Sequence, residues 1–370
     1  MSQQTAGSGA GLTREAVMEA LKTVNDPELH RDLVSLGMVK QVQVEAGVAR
    51  VEIQLTTPAC PLKDVIGGDV RKALATIPGF EDVIIDFTAN VAGRAMEDQD
   101  LAPGVKNIVG IASGKGGVGK STVALNLAIS LQRTGARVGL LDADIYGPNI
   151  PTMMALRRAP RVEDNKMIPL ERFDLKMISM GLLIQDDTPV IWRGPMLNSA
   201  LRQFFGDVRW GELDYLLVDL PPGTGDVQIS MVQLVRVTGC VIVTTPQRVA
   251  VEDARRGLAM FHQTNTPVLG IIENMGYFRC GACDEVHHLF GDGGGERAAK
   301  ELEVPFLGSI PLAVAVREGG DAGEPITVAD PEGEISQKFL DVARQLAARI
   351  SVHNIESDTQ GPLEINLGPR

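Results

Sequence analysis

The spacing of hydrophobic positions changes character along the chain. After a small, polar start (1–11), a helical pattern opens at Thr13, a good N-cap, with Leu12 and Val17 placed to staple it. Val42 and Val44, then Val51, Ile53 and Leu55, alternate with polar residues on either side of Ala46-Gly47, which predicts a β-hairpin. Leu62, Val65, Ile66, Val70, Ala73, Leu74 and Ile77 return to the helical period, and Phe80–Phe87 predicts another strand. Residues 12–91 therefore read as a small α+β domain, and 92–104, with a Pro, a Gly and mixed charge, as a linker. From Lys106 onward the strands become short, nearly continuous apolar runs at 108–112, 138–141, 216–218, 241–244 and 268–272. Such runs suit parallel strands buried on both faces. Helical patterns at 122–133, 227–235 and 249–263 separate them, and another at about 334–349 closes the series. Alternating β and α predicts an α/β fold over 105–350, a doubly wound, mostly parallel sheet. Residues 351–370 show no clear period and read as a disordered tail.

Composition adds exclusions. In 370 residues, 44% are hydrophobic and only 4% aromatic, so the cores are aliphatic. The net charge of −12 argues against nucleic-acid binding through bulk charge. No apolar run approaches the roughly 20 residues of a membrane span, and the start does not read as a signal peptide. Four cysteines are too few for a disulfide scaffold at this length, so free thiols and a cytoplasmic location are expected.

The most informative segment is Gly114-Lys-Gly-Gly-Val-Gly-Lys-Ser121, set between a strand and a helix. That is the context of a phosphate-binding loop. Glycines let consecutive N–H groups of residues such as Gly116, Gly117, Val118 and Gly119 point at an anion, and the helix that follows adds its positive end. Lys120 would hold the β- and γ-phosphates of ATP, with Thr122 beside them, and the Ser121 hydroxyl would hold Mg²⁺. Leu140-Leu-Asp-Ala-Asp144 ends a strand with two acids: Asp144 suits orienting the attacking water, Asp142 suits helping at the metal, and either also suits capping the loop. Tyr215-Leu-Leu-Val-Asp219 ends with an acid placed to hold Mg²⁺ through water, and Pro221-Pro-Gly-Thr-Gly225 reads as a switch loop sensitive to the γ-phosphate.

The second lysine inside the loop, Lys115, resembles the deviant Walker A group that includes MinD, ParA and the nitrogenase iron protein. The resemblance implies that Lys115 reaches the partner's nucleotide across a dimer and acts in catalysis with Lys120 and Asp144. Further segments narrow it: Leu141-Asp-Ala-Asp-Ile-Tyr-Gly-Pro148, Arg193-Gly-Pro-Met196, Pro221-Pro-Gly-Thr-Gly-Asp226, Thr245-Pro-Gln247, Glu273-Asn-Met275, and Cys280-Gly-Ala-Cys283 followed by Leu289-Phe-Gly291. Over about 105–350 the chain resembles the Mrp/ApbC family of iron–sulfur cluster carrier ATPases. That implies slow ATP hydrolysis, Asn274 against the adenine base, and a [4Fe–4S] cluster passed to apo-proteins with the help of cluster-assembly proteins. Asp26-Pro-Glu28, Leu33-Val-Ser-Leu-Gly-Met-Val39 and Thr56-Thr-Pro-Ala-Cys-Pro61 resemble the small iron–sulfur-assembly domain fused to bacterial members. Two residues depart from the pattern: Asp284, where a glycine often follows the second cysteine, and Arg248, where an acid is commoner.

Cys280 and Cys283 supply two thiolates where a closed iron–sulfur or zinc site wants four. A two-fold homodimer would supply the other pair, and the family resemblance places a [4Fe–4S] cluster there. Zinc on the same four thiolates, and a single-chain zinc knuckle adding His287 or His288, are the alternatives. Cys60, just before a helix whose dipole would lower its pKa, is a candidate transfer thiol or a structural cysteine. Cys240 lies in an apolar strand and reads as core. A positioning ATPase of the MinD or ParA sort, the main rival, leaves the cysteine pair without a role, and no terminal helix here has the character of a membrane anchor.

Overall fold

In a computed structural model the chain is described over residues 11–93, 101–145, 147–183 and 194–360. It forms two compact units, Met1–Ala92 and Gly93–Arg370.

In the first unit α1 (Arg14–Leu21) precedes β1 (Val39–Glu45), β2 (Val48–Leu55), α2 (Lys63–Leu74) and β3 (Asp82–Ala89). The Thr13 hydroxyl accepts from the Ala16 N–H and caps α1 as the sequence predicts. β1 and β2 pair antiparallel through a turn in which Ala46 and Gly47 both have positive φ, the conformation a two-residue hairpin demands. β3 adds in parallel beside β2, so β2 is central. Its alternate residues Ala49, Val51, Ile53 and Leu55 are buried with Ile66, Val70 and Leu74 of α2.

The second unit runs β4 (Ile108–Ala112), α3 (Lys120–Arg133), β5 (Val138–Asp142), α4 (Ile150–Met153), β6 (Arg161–Glu163), β7 (Lys166–Ile168), β8 (Leu170–Arg172), β9 (Leu175–Ser179), α5 (Gly194–Gly206), β10 (Tyr215–Asp219), α6 (Asp226–Leu234), β11 (Gly239–Thr244) and α7 (Arg248–Gln263). It then continues through β12 (Val268–Arg279), β13 (Val286–His287), α8 (Gly294–Glu301), β14 (Phe306–Leu312), α9 (Val314–Ala322), α10 (Ile326–Ala329) and α11 (Glu334–Gln360). Nine of the described strands form one sheet in the order β13-β12-β11-β4-β10-β5-β9-β8, with β14 also on β12, while β6 and β7 pair antiparallel by themselves. The large sheet's pairs are parallel except β8 with β9 and β12 with β13. β4, β10 and β11 are buried along their whole length, which is why their sequences read as unbroken apolar runs. On one face Phe204, Phe205, Met231, Leu258 and Phe261 from α5, α6 and α7 pack on Ile108, Leu216 and Ile242. α3 and α11 pack together elsewhere on the sheet.

Two sequence expectations change here. The last helix does not stop near 349 but runs on to Gln360, into the segment read as a tail. Its continuation was hidden because two of the positions it buries are polar, Ser351 and Asn354, and the Asn354 amide donates to Asn107 at 2.8 Å. Residues 101–104, read as linker, join the second core: Ala102 is buried beside Val105 and Trp210, and Leu213 N–H donates to the Gly104 carbonyl at 2.9 Å. The rest of the linker (94–100) and both tail ends (1–10, 361–370) lie outside the described residues, as do Tyr146 and Arg193 of the quoted motifs.

Candidate functional site

The phosphate loop connects β4 to α3 at the carboxyl edge of the sheet. Gly117 and Gly119 have φ of +83° and +79°, which an L side chain rarely adopts. Gly114 faces the α7 backbone so closely that a Cβ there would stand 2.2 Å from the Asp253 carbonyl carbon. Each glycine thus answers a specific geometric need. A cavity of about 180 Å³ is lined by Lys115, Gly116, Gly117, Lys120, Ser121 and Asp144, among others.

Lys120, buried at the start of α3, donates to Asp219 Oδ1 at 2.6 Å and lies 3.5 Å from Asp144 Oδ2. Parallel pairing of β10 with β5 puts Asp219 directly beside Asp142. Burial raises the Asp219 carboxyl above the usual range, against the pull of Lys120 and the Ser121 hydroxyl. Burial, and then the charge of Asp219, push Asp142 up to about 8. The oxygens of Asp142 are engaged within the protein: one accepts from Ser179 Oγ at 2.9 Å and the other from the Asp144 N–H at 3.2 Å. Asp219 Oδ2 differs, being fully buried with no hydrogen-bond partner. That orphaned oxygen, with the adjacent Ser121 hydroxyl, is an all-oxygen donor set that fits Mg²⁺. The structure therefore brings Lys120, Ser121, Asp144 and Asp219 together and sets Asp142 behind them.

Two features flank this cavity. The loop Pro221–Gly225 is held by Gln228, a buried residue that the motif reading passed over. Its amide donates to the Pro221 and Gly223 carbonyls at 2.6 and 3.0 Å and accepts from the Gly225 N–H at 3.0 Å. On the other side a larger cavity of about 320 Å³ shares Gly119, Thr122, Asn149 and Met153 with the first and adds Asn274, Met275 and Pro311. The two cavities adjoin along those four residues. Asn274 is in the wall of the larger one, with Nδ2 donating to the Val118 carbonyl at 2.8 Å.

Cys280 and Cys283 sit on a hairpin between β12 and β13, closed by Cys280 N–H to the Glu285 carbonyl and Asp284 N–H to the Cys280 carbonyl, each 2.9 Å. The backbone N–H groups of Ala282 and Cys283 hydrogen-bond the Cys280 sulfur and lower its pKa. Cys283 is exposed and Cys280 half-buried. His287 and His288 face Glu285 and Asp292 instead, at 3.8 and 3.4 Å. Among the described residues no group of three or more His, Cys, Asp or Glu side chains is placed to hold a metal. Asp284 adopts φ +58°, a left-handed conformation that favours glycine. Cys240 is fully buried against Gly110 and its thiol is pushed up to about 12, in keeping with a core role.

Cys60 departs from its expectation. Burial raises its thiol pKa, the carboxylates of Glu28 and Asp26 push the same way, and the N–H groups of Leu62 and Lys63 only partly oppose them. Those acids come from the Asp26-Pro-Glu28 segment, so the fold brings together two motifs separated by about thirty residues of sequence. Among the described residues no helix is long and apolar enough to cross a membrane.

Comparison with known proteins agrees with this anatomy. Residues 104–347 match the family model of the NUBPL iron-transfer P-loop NTPase, and 14–87 match that of an iron–sulfur cluster assembly protein. The chain is 51% identical over 348 residues to an iron–sulfur cluster carrier protein of Synechocystis, covering 92% of this chain and 99% of the relative. It is 53% identical over 344 residues to one of Deinococcus radiodurans, covering 92% and 97%. A solved nucleotide-binding protein of Archaeoglobus fulgidus, in complex with ADP, superposes with a TM-score of 0.54 at 38% identity, covering 64% of this chain and 92% of its own.

Proposed function

The chain belongs to the family of NUBPL iron-transfer P-loop NTPases, and from that premise we propose that it is a cytoplasmic, ATP-binding and slowly ATP-hydrolysing carrier of a [4Fe–4S] cluster. The observation that carries the reading is the exposed Cys280–Cys283 hairpin. It presents two thiols, one already made acidic by N–H donors, just beyond the end of the strand that also walls the larger cavity. N–H···S bonds favour the thiolate, the form that ligates iron. Two copies related by a two-fold axis supply the four thiolates of a closed site, and an edge location leaves the cargo accessible to apo-proteins.

The nucleotide roles extend the proposal: the grouping of Lys120, Ser121, Asp144 and Asp219 around one cavity supports theirs, and the family resemblance supports those of Lys115 and Asn274. ATP seats its phosphates in the cradle of Gly114, Gly116, Gly117, Val118 and Gly119, with Thr122 alongside and its base against Asn274. Lys120 exchanges its bond to Asp219 for the β- and γ-phosphates. Ser121 and Asp219 would hold Mg²⁺, with Asp142 supporting them from behind, and the ion would supply charge neutralisation at the phosphates. Asp144 orients the attacking water, and Lys115 of each copy serves the nucleotide of the other. The loop held by Gln228 changes shape when the γ-phosphate leaves, and the cycle couples to cluster loading or release. Cys60 hands on clusters within the small unit.

Anaerobic reconstitution with iron and sulfide, followed by absorption spectroscopy and metal counting, tests the carrier reading. About one four-iron cluster per two chains is expected, lost in Cys280→Ala and Cys283→Ala and kept in Cys240→Ala. One stable cluster per single chain, or retention in the Cys280 variant, contradicts the shared site. Zinc in place of iron after anaerobic purification favours a zinc-bound ATPase.

A further inference from the structure

The buried acid next to Asn274 has no part in the chemistry above. Glu273 lies in β12 and is only 3% exposed. One carboxylate oxygen accepts from the Gly295 N–H at 2.7 Å, the other from Ser309 Oγ at 3.2 Å. Gly295 opens α8, and Ser309 is the residue of β14 paired with Glu273 itself.

Immediately beyond this clamp the strand breaks register. Asn274 pairs with Ile310, yet the next pair is Phe278 with Leu312, so β12 spends four residues where β14 spends two. The excess is a bulge at Met275–Tyr277, and Met275 sits in it at φ +57°. The bulge is pinned from below: a Cβ on Gly276 would stand 2.0 Å from Ser309 Oγ and 3.0 Å from Glu273 Oε1. It turns Asn274 and Met275 into the wall of the base cavity, and the end of β14, Pro311 and Leu312, forms more of the same wall.

The bulge is also where the cysteine hairpin departs. Past the bulge β12 runs on to Arg279, the turn 280–285 carries Cys280 and Cys283, β13 pairs back on β12, and the chain returns to the body at α8. Glu273 holds both feet of that excursion, the departure through Ser309 and the Gly276 notch, the return through Gly295. The same carboxylate thus bonds to β14, beside the bulge where that excursion begins, and to α8, where it ends.

We propose that Glu273 is a positioning residue that couples occupancy of the base cavity to the geometry of the cysteine hairpin. A base entering beside Met275 loads the bulge, and the clamp passes that displacement to both feet of the hairpin. The proposal rests on the carrier reading for the identity of the two sites. It requires that the base, rather than the γ-phosphate alone, be felt at the thiols.

The test uses the full chain, free of cluster, with Mg·ADP or inorganic tripolyphosphate as the probe. Iodoacetamide labelling of Cys280 and Cys283 is followed by mass spectrometry, and ADP binding is measured separately by calorimetry. ADP should change the labelling rate by about fivefold, as typical couplings do, and tripolyphosphate, which has no base, by less than about twofold. Ser309→Ala and Glu273→Ala should lose the ADP response while still binding ADP. Glu273→Gln, whose amide can accept from Gly295 and donate to Ser309, should keep it; should Glu273→Ala not fold, Ser309→Ala carries the test. ADP that binds without altering labelling, an equal response to tripolyphosphate, or a wild-type response in Ser309→Ala overturns the coupling. A wild-type chain that binds no ADP overturns the nucleotide reading itself and this inference with it.

Discussion

Replacing Asp142 with asparagine should stabilise the larger unit, and by an amount that grows with pH. Asp142 is completely buried, shares its neighbourhood with Asp219, and has its carboxyl pushed up to about 8 from an ordinary value of 3.8. Burial is the first cause and the Asp219 charge the second. Between about pH 4 and pH 8 the folded chain therefore holds a proton at this site that the unfolded chain has released. Stability then falls as pH rises through that window, by about 1.4 kcal/mol per unit, and levels off above the folded pKa. At pH 7 the cost is on the order of a few kcal/mol. Asparagine is neutral in both states and removes it. Its carbonyl can accept from the Asp144 N–H, and its amide can donate to Ser179 Oγ, whose hydroxyl rotates, so both contacts survive.

The measurement is urea unfolding at pH 5.5, 6.5 and 7.5 without nucleotide or Mg²⁺, followed by tryptophan fluorescence. Both tryptophans, at 192 and 210, belong to the second unit's sequence, so the signal reports that unit alone. The variant's advantage should widen with each step in pH. Parallel stability curves for the two proteins would falsify the argument, because they would mean that Asp142 is ionised in the folded state at neutral pH. A variant less stable at every pH would instead show that the Ser179 and Asp144 contacts outweigh the buried charge.

Other outcomes follow from single contacts. Lys120→Ala should abolish tight ATP binding, whereas Lys115→Ala should largely spare binding and suppress turnover; calorimetry with a non-hydrolysable analogue and a phosphate-release assay separate the two, and normal turnover in the Lys115 variant removes its role in trans. Gln228→Leu strips three hydrogen bonds from Pro221–Gly225 and should lower kcat while leaving ATP affinity within about threefold, since each bond contributes about 1 kcal/mol to the loop and none to the phosphate cradle. Asp284→Gly relieves a positive φ and should stabilise the hairpin by about 1 kcal/mol, seen as slower hydrogen exchange at its amides; faster exchange would count against strain there.

The parts of the molecule that rest on local chemistry were legible in the sequence. Complete burial of the central strands makes their sequences continuous in Val, Ile and Leu, and the phosphate loop needs glycine wherever φ is positive or a backbone approaches. The cysteine pair stands out as two thiols at a spacing that both iron–sulfur and zinc sites use. What escaped notice depends on contacts between distant segments. Gln228 and Glu273 look like ordinary polar residues until the loop and the bulge they hold are folded around them. α11 was cut short because Asn354 is buried for its bond to Asn107 rather than for hydrophobicity. The helix after Cys60 by itself predicts a lowered pKa, yet burial and the acids of a remote segment reverse the sign.

The same distinction decides where the chain can be cut. The nucleotide loop, Asp144, Asp219 and both hairpin thiols all lie in the second unit, so a shortened chain should keep ATP binding and the cysteine site. The start of that chain matters, because local composition marks residues 101–104 as linker while the fold places them in the core. Ala102 is 1% exposed, Leu101 packs against the same cluster, and the Gly104 carbonyl accepts from Leu213. Gly104 has φ +84°, and a Cβ there would stand 2.8 Å from the Gly211 carbonyl oxygen, so its place in the turn is specific. Beginning at Val105 removes these contacts. At about 25 cal/mol per Å² for the lost apolar area, with about 1 kcal/mol for the hydrogen bond, the loss is roughly 2–4 kcal/mol. A chain beginning at Gly93 should therefore unfold at nearly the urea concentration of the full-length second unit, and one beginning at Val105 measurably lower. Both should bind ATP where folded, and only cluster delivery should distinguish them from the full chain if Cys60 hands clusters on. Equal stability of the two truncations would show that residues 101–104 contribute nothing to the core. Failure of the Gly93 chain to bind ATP would show that the small unit is needed for the nucleotide site to form.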